Sequence, residues 1–192
     1  MLSLPMENNQ WKATFGEVFN RAVAAWKSGR RSAQAMFVEE EKNFLATIGC
    51  STQELFDFVE DHLQYGDPDY SCIEKVTELR QGYFQTVMKG NFSGHVASMK
   101  SLPPKTAAIE GIEWLPRIIE KARLKLRGEM PPELMYGCAG DRMFVQSVHM
   151  TLPQFLKLVW DAGNDTQHIV DSVKKALTVI TEVDPPSPLR LK

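Results

Sequence analysis

The chain has 192 residues, of which 43% are hydrophobic and 24% are charged, and its formal net charge is −2. This composition is typical of a soluble globular protein and excludes a disordered chain. The near-neutral charge argues against a general nucleic-acid binder, and no apolar run is long enough to span a bilayer. The three cysteines are too few and too widely spaced for a disulfide framework or a zinc site. With no visible leader sequence, we expect a cytoplasmic protein.

Apolar residues at helical spacing begin soon after the N-terminus and predict two successive helices. The first is expected to end at Ser28-Gly29, where glycine is a common helix terminator. The second is expected to run from Ser32 to Ile48. The apolar face of the first helix consists of Phe15, Val18, Phe19, Ala22 and Trp26.

Capping residues mark the next two helix starts. Ser51 and Glu54 have the spacing of a capping box and predict a third helix that ends near Gly66. Asp67-Pro68 predicts the start of a fourth helix, with the aspartate as N-cap and the proline in the first turn. No strand-like alternation of useful length is visible.

The pattern recurs at a constant shift of 100 residues, where the capping box reappears as Thr151 and Gln154. Two capping boxes in one register are much less expected by chance than a few matching apolar positions. We therefore predict an all-α protein, a tandem duplication of a four-helix unit packed into one compact helical protein. Its predicted parts are an N-terminal arm (1–10), a first helical repeat (11–89), a linker (90–106), a second helical repeat (107–181) and a Pro-rich tail (182–192).

The helix predicted after Trp114 carries a second stripe of side chains opposite its apolar face. This stripe consists of Arg117, Glu120, Lys121 and Leu124. One interpretation is a solvated face with ordinary ion pairs. The other is a groove in which Arg117 and Lys121 meet the segment Tyr136–Asp141 and bind a carboxylate or phosphate.

Cys138 precedes a predicted helix that has Asp141 in its first turn. A cysteine in such a position beside Arg or Lys can act as a nucleophile, but most free cysteines are small buried hydrophobes. No histidine lies nearby in the sequence to serve as a base. No His/Glu pair has the spacing of a helical metal site, and no glycine-rich phosphate loop occurs. Neither a metal nor a cofactor is expected.

Two stretches of the second half carry a family resemblance: Leu102-Pro103-Pro104 with Trp114–Arg123, and then Tyr136–Phe144. With them, roughly residues 98–180 resemble a small bacterial family called domain of unknown function 5069. The stretch Trp11–Phe84 looks like a divergent relative of that family. The resemblance implies a compact helical cytoplasmic protein and no established activity. The family pattern has a proline and a bulkier residue where this chain has Ala139-Gly140, which predicts a more pliable loop.

The predicted ligand-binding residues all lie in the second repeat and are Arg117, Glu120, Lys121, Tyr136, Cys138 and Asp141. The first repeat has different residues at the positions of five of them: Glu17 for Arg117, Arg21 for Lys121, Met36 for Tyr136, Val38 for Cys138 and Glu41 for Asp141. We therefore expect a protein that binds a small anionic ligand or a partner through the second repeat. Two alternatives stay open: an enzyme with Cys138 as nucleophile, and a purely structural module that binds another protein or a second copy of itself. Nucleic acid and membranes are not expected partners.

Overall fold

The computed structural model describes residues 10–183, with side chains described through residue 178. Most of the predicted arm (1–10) and tail (182–192) lies outside these residues. In the described part, the first half contains the helices α1 (Gln10–Lys27), α2 (Ala33–Met36), α3 (Glu39–Thr47), α4 (Thr52–Tyr65) and α5 (Tyr70–Thr86). The second half contains a 3-10 turn (Met99–Ser101), strands β1 (Ala108–Ile109) and β2 (Ile112–Glu113), and helices α6 (Leu115–Arg127), α7 (Ala139–Ser147), α8 (Leu152–Ala162) and α9 (Thr166–Val183). The all-α class is confirmed.

Both predicted capping boxes are present, at the starts of α4 and α8. The Ser51 hydroxyl accepts a hydrogen bond from the Glu54 amide at 3.1 Å, and the Glu54 carboxylate accepts one from the Ser51 amide at 2.8 Å. Thr151 and Gln154 exchange the same two bonds at 3.3 and 2.8 Å. Each pair satisfies two amides that a helix start leaves without an intrahelical partner, so these helices begin where the sequence predicts.

The single helix predicted from Ser32 to Ile48 is wrong. The backbone is extended at Phe37 and Val38, which separates α2 from α3. The break lets Phe37 turn into the core, and the Val38 amide donates to the Glu41 carboxylate at 3.0 Å. Apolar spacing continues across the break, so periodicity alone could not reveal it. The described first half therefore has one helix more than the predicted four-helix unit.

The predicted helix start at Asp67-Pro68 is also wrong. The N-cap of α5 is Asp69, whose carboxylate accepts a hydrogen bond from the Cys72 amide at 2.7 Å. Both aspartates fit the sequence rule for an N-cap, and the rule does not choose between them. Asp67 therefore stays outside the helix, with its carboxylate available for a contact elsewhere.

A short hairpin that the sequence pattern does not predict leads into α6. Ala108 pairs with Glu113, and Ile109 with Ile112, in antiparallel register. Strands of two residues are too short for alternation to be visible in the sequence. Trp114 follows with a φ of 66° and donates its amide to the Ala107 carbonyl at 3.1 Å. This turn fixes where the Trp114 ring stands relative to α6.

The two halves meet on α5, which packs against α6 and α8, while α6 also packs against α8. One cluster of buried apolar side chains runs from Trp11 to Val173 and includes both halves. The helices α3 and α7 begin and end at positions 100 residues apart, as do the starts of α4 and α8. This spacing agrees with a tandem duplication, which stays a prediction. No helix within residues 10–183 has the length and apolarity needed to cross a membrane.

Candidate functional site

The centre of the predicted site is a buried ion pair between Lys121 of α6 and Asp141 of α7. Their side chains are 2% and 0% exposed, and the Lys121 ammonium pairs directly with the Asp141 carboxylate. The carboxylate also accepts hydrogen bonds from the Trp114 indole at 3.0 Å and the Gly137 amide at 2.8 Å. Burying two charges is costly, and these two added hydrogen bonds to the carboxylate oxygens of Asp141 offset part of that cost. The charge of Lys121 is thus neutralised within the protein.

The same ammonium group lies 3.1 Å from the sulfur of Cys138. Cys138 is half-buried and is the N-cap residue of α7. The lysine therefore connects a thiol at the helix start with a carboxylate one turn into the helix.

The stripe on α6 does not form one solvated face, because Lys121 and Leu124 are buried. Arg117 and Glu120 belong to other contacts. The Arg117 guanidinium donates to the Pro103 carbonyl at 2.7 Å and lies over the Trp114 ring, 5.9 Å from its centroid. Glu120 pairs with Arg127 at 3.6 Å on the partly exposed side.

Tyr136 is an anchor for the loop before α7. Its hydroxyl is buried and donates to the Leu152 carbonyl at 2.8 Å. Burial, and then the nearby Asp141 carboxylate, raise the pKa of Tyr136 well above its ordinary value. It remains a neutral hydrogen-bond donor and ties the loop to the start of α8. Of the six predicted residues, the structure thus groups Lys121, Cys138 and Asp141, with Tyr136 supporting their loop.

The prediction of a pliable loop at Ala139-Gly140 is wrong. Both residues form the first turn of α7. A Cβ atom added at Gly140 would lie 2.5 Å from the Trp114 ring, which is closer than real Cβ contacts. The glycine lets the indole lie against the helix start and reach Asp141, so the small residue here serves close packing.

Arg142, which the sequence reasoning missed, connects this buried pair to the molecular surface. Its guanidinium is 8% exposed and donates to Asp61 at 2.6 Å and to the Gly137 carbonyl at 2.7 Å. It also pairs with Asp67 at 2.8 Å, and that carboxylate is 52% exposed. Both acids come from the first half, so no local pattern around Arg142 indicates them. The only local indication of its role is its position directly after Asp141 in the sequence.

Arg142 lies in the wall of a cleft of about 450 Å³, here named the Arg142 cleft, between α5, α7 and the start of α8. Asp67, Asp69, Lys75 and Cys72 line one side, and α7 and α8 the other. The floor is formed by Val145, Met150, Leu152 and Pro153. Burial, and then the neighbouring Asp69 carboxylate, raise the pKa of Cys72 to about 11, so this thiol stays protonated at neutral pH. Clefts of this size with a few converging polar groups are typical of small-ligand sites.

The described residues contain no group of three or more His, Cys, Asp or Glu side chains arranged to hold a metal ion. No curated protein and no solved structure matches the chain. The family model of a domain of unknown function, DUF5069, matches residues 101–183. That segment contains α6, α7, α8 and α9, and with them Lys121, Cys138 and Asp141. Residues 101–183 of this chain are therefore similar to the DUF5069 family.

Proposed function

We propose that this protein binds a small molecule with an anionic group in the Arg142 cleft. The observation that carries the proposal is the pairing of the buried Arg142 guanidinium with the exposed carboxylate of Asp67. Asp67 stands outside α5, in the turn after α4, and a ligand carboxylate or phosphate could take its place. Arginine binds such groups well because its planar guanidinium offers several donors at fixed angles.

The rest of the cleft suits a ligand that is small and partly apolar. Lys75 offers a second cation near the rim, and Asp69 an acid that is already used as the cap of α5. The floor of Val145 and Leu152 offers apolar contact. One group for the anion, one cation at the rim and an apolar floor are the usual parts of a specific small-molecule site.

The predicted residues support this site without lining it. The Gly137 carbonyl accepts from Arg142, while the Gly137 amide donates to Asp141. The buried pair of Lys121 and Asp141 therefore fixes the backbone that orients the arginine. This assigns Lys121 and Asp141 a positioning role, and it moves the predicted anion contact from Lys121 to Arg142.

An NMR titration with acetate tests this proposal, with the amides of α7 as reporters. Asp67→Asn removes the competing carboxylate and is expected to raise the acetate affinity about three- to tenfold, or about 0.7–1.4 kcal/mol. Arg142→Gln is expected to abolish the shifts. Lys157→Met removes an exposed cation of α8 outside the Arg142 cleft and is the matched control. Equal affinities for the wild type, Asp67→Asn and the control would reject the proposal, whether or not Arg142→Gln folds.

The distance between Lys121 and Cys138 favours a second candidate function, an enzyme with Cys138 as nucleophile. The Lys121 ammonium group lies 3.1 Å from the sulfur, and Cys138 is only half-buried. An electrophilic substrate would have to reach the sulfur from outside α7. The reactivity of this thiol, treated in the Discussion, separates this candidate from ligand binding alone.

A further inference from the structure

Asp57 of α4 is a half-buried carboxylate that pairs with no cation of the described residues. Gln53 donates to its Oδ1 atom at 2.7 Å, and its other oxygen accepts no hydrogen bond from the described part of the chain. Burial raises the pKa of Asp57 to about 7, so a large part of this group is ionised at neutral pH. A carboxylate that is partly removed from water is stabilised by an opposite charge beside it.

Glu54, one turn earlier on α4, already has its charge balanced. Its carboxylate accepts from Lys125 of α6 at 3.0 Å and from the Ser51 amide at 2.8 Å. Burial alone would raise the pKa of this carboxylate, but Lys125, the Ser51 amide and Arg80 of α5 together lower it, so the group is ionised. The Lys125 ammonium is thus engaged by Glu54, and Asp57 is the carboxylate left without a cation.

Asp57 lines a cleft of about 250 Å³, here named the Gly128 cleft, between the start of α4, the linker and the segment after α6. Among the described residues that line it, the only charged side chains are Glu54 and Asp57. Neither Arg80 nor Lys125 lines it. Its apolar walls consist of Phe92, Val96, Met130, Pro131, Pro132 and Leu134. The cleft thus offers contact to an apolar group, and its charge complements a cation.

The linker wall of the Gly128 cleft exposes apolar side chains to water. Phe92 is 52% exposed and Val96 is 60% exposed, although both line the cleft. The Phe92 ring packs on Phe84 of α5 with centroids 4.8 Å apart, and the Ala97 amide donates to the Glu129 carbonyl at 2.9 Å. These two contacts hold the linker beside the end of α6. Exposed apolar side chains at a cleft are typical of a surface that a ligand covers.

We propose that the Gly128 cleft binds a small primary amine carried on an apolar group. The ammonium group pairs with the Asp57 oxygen that the chain leaves free, and the apolar part covers Phe92 and Leu134. An aromatic ring beside the ammonium adds a further attraction, and Phe92 supplies one. This site is separate from the Arg142 cleft, with which it shares no lining residue, and it takes a ligand of the opposite charge.

Asp57 makes this binding depend on pH. The charged or titratable groups near it are Lys125 from α6, Glu54 and Glu60 from α4, and Tyr136 from the loop before α7. Lys125 and Glu54 balance each other, and Tyr136 stays neutral. An alkylamine keeps its proton up to about pH 10. Asp57 is largely neutral at pH 6 and largely ionised at pH 8, so binding of the amine strengthens as pH rises between these values.

An NMR titration of the full chain with n-butylamine at pH 8 and constant ionic strength tests the proposal, with the amides of α4 as reporters. n-Butanol, which has the same chain without the charge, is expected to bind at least about tenfold more weakly. Asp57→Asn is expected to weaken amine binding by at least about tenfold. Asp161→Asn removes an exposed carboxylate of α8 outside this cleft and is expected to leave the affinity unchanged. At pH 6 the wild type is expected to bind the amine at least about threefold more weakly than at pH 8.

Equal affinities for the amine and the alcohol would overturn the proposal, because the cleft would then recognise the apolar chain alone. An amine that shifts no amide of α4 at pH 8 overturns it as well, as does an Asp57→Asn variant that folds and binds the amine as tightly as the wild type. If Asp57→Asn does not fold, the wild type decides. A preference for the amine over the alcohol that grows between pH 6 and pH 8 supports the proposal, and a preference that does not change overturns it.

Discussion

Arg21 donates to Glu41 at 2.6 Å, and the residues 100 positions later are Lys121 and Asp141, which form the buried pair of the second half. The acid of each pair also accepts a hydrogen bond from a backbone amide near the start of its own helix. Glu41 also accepts from the Val38 amide at the start of α3, as Asp141 accepts from the Gly137 amide near the start of α7. The sequence comparison treats these positions as different because the residue types differ. The structure gives them one role, a cation on one helix joined to an acid in the first turn of a later helix.

The two pairs differ in burial, which predicts a difference in stability. The Arg21 side chain is 60% exposed, whereas that of Lys121 is 2% exposed. Lys121→Met leaves a fully buried carboxylate without its buried cation and is expected to cost about 3–5 kcal/mol. Arg21→Met removes a cation that lies largely in water, and the buried Glu41 carboxylate keeps the Val38 amide, so a smaller cost of about 1–2 kcal/mol is expected. Urea unfolding measures both values. Adding Asp141→Asn to Lys121→Met is expected to recover part of the loss, and equal losses in the two single variants would contradict the prediction.

The capping boxes give a second matched pair of substitutions. Ser51→Ala and Thr151→Ala each remove one side-chain acceptor from a helix start that is otherwise alike. Each is expected to reduce the free energy of unfolding by about 1 kcal/mol. Thr47→Ala, which alters a hydroxyl near the end of α3, is the control and is expected to change stability less. If either cap variant lost almost no free energy of unfolding, water would satisfy the exposed helix-start amide as well as the side chain does.

The two helix starts marked by capping boxes and the apolar faces of the helices were predictable because they follow from local rules. A capping box needs only residues three apart, and both boxes form as expected. The break at Phe37 was not predictable, because it depends on where that side chain enters the core. The hairpin before α6 was not predictable either, because its strands are shorter than any period.

The candidate site was predictable only as far as it is local. Cys138 and Asp141 lie within one helical turn, and Lys121 was found as a cation on the preceding helix. Arg142 was missed because its partners Asp61 and Asp67 lie in the other half. Arg80 and Lys125 were missed for the same reason, since their environment arises where α4, α5 and α6 meet. Contacts between the halves are decided by packing, which a helical wheel does not represent.

The three cysteines are expected to differ in their rates of alkylation. Cys50 is buried, and burial, followed by the nearby Glu54, raises the pKa of its thiol to about 12. Cys72 is half-buried with a pKa of about 11. Cys138 is half-buried beside Lys121. We expect iodoacetamide at pH 7.5 to modify Cys138 first, at least about tenfold faster than Cys72, because the raised pKa of Cys72 leaves almost none of its thiol in the reacting thiolate form.

Peptide mass spectrometry over time measures the three rates separately. Lys121→Met is expected to slow the modification of Cys138, while Lys75→Met, which removes a cation near Cys72, leaves Cys138 unchanged. A Cys138 rate no faster than that of a thiol in an unfolded peptide would count against a nucleophilic role. It would leave Cys138 as a helix-start residue that packs beside the buried pair.

The raised pKa of Asp57 predicts how stability changes with pH. Burial, the largest influence, raises the pKa from 3.8 to about 7. Between these values the folded protein holds a proton that the unfolded chain releases, so the free energy of unfolding falls as pH rises from about 4 to about 7. Above pH 7 the effect is complete and adds no further slope.

Asp57→Asn keeps an oxygen that can accept from Gln53 but cannot ionise. We expect this variant to avoid a loss of about 1–3 kcal/mol across that range, because one pKa unit corresponds to about 1.4 kcal/mol and Asp57 is only partly screened from water. Urea unfolding of both proteins at pH 5, 6, 7 and 8 isolates the contribution of Asp57, since every other titrating group is common to the two. Parallel curves for wild type and variant would show that Asp57 ionises at an ordinary pH.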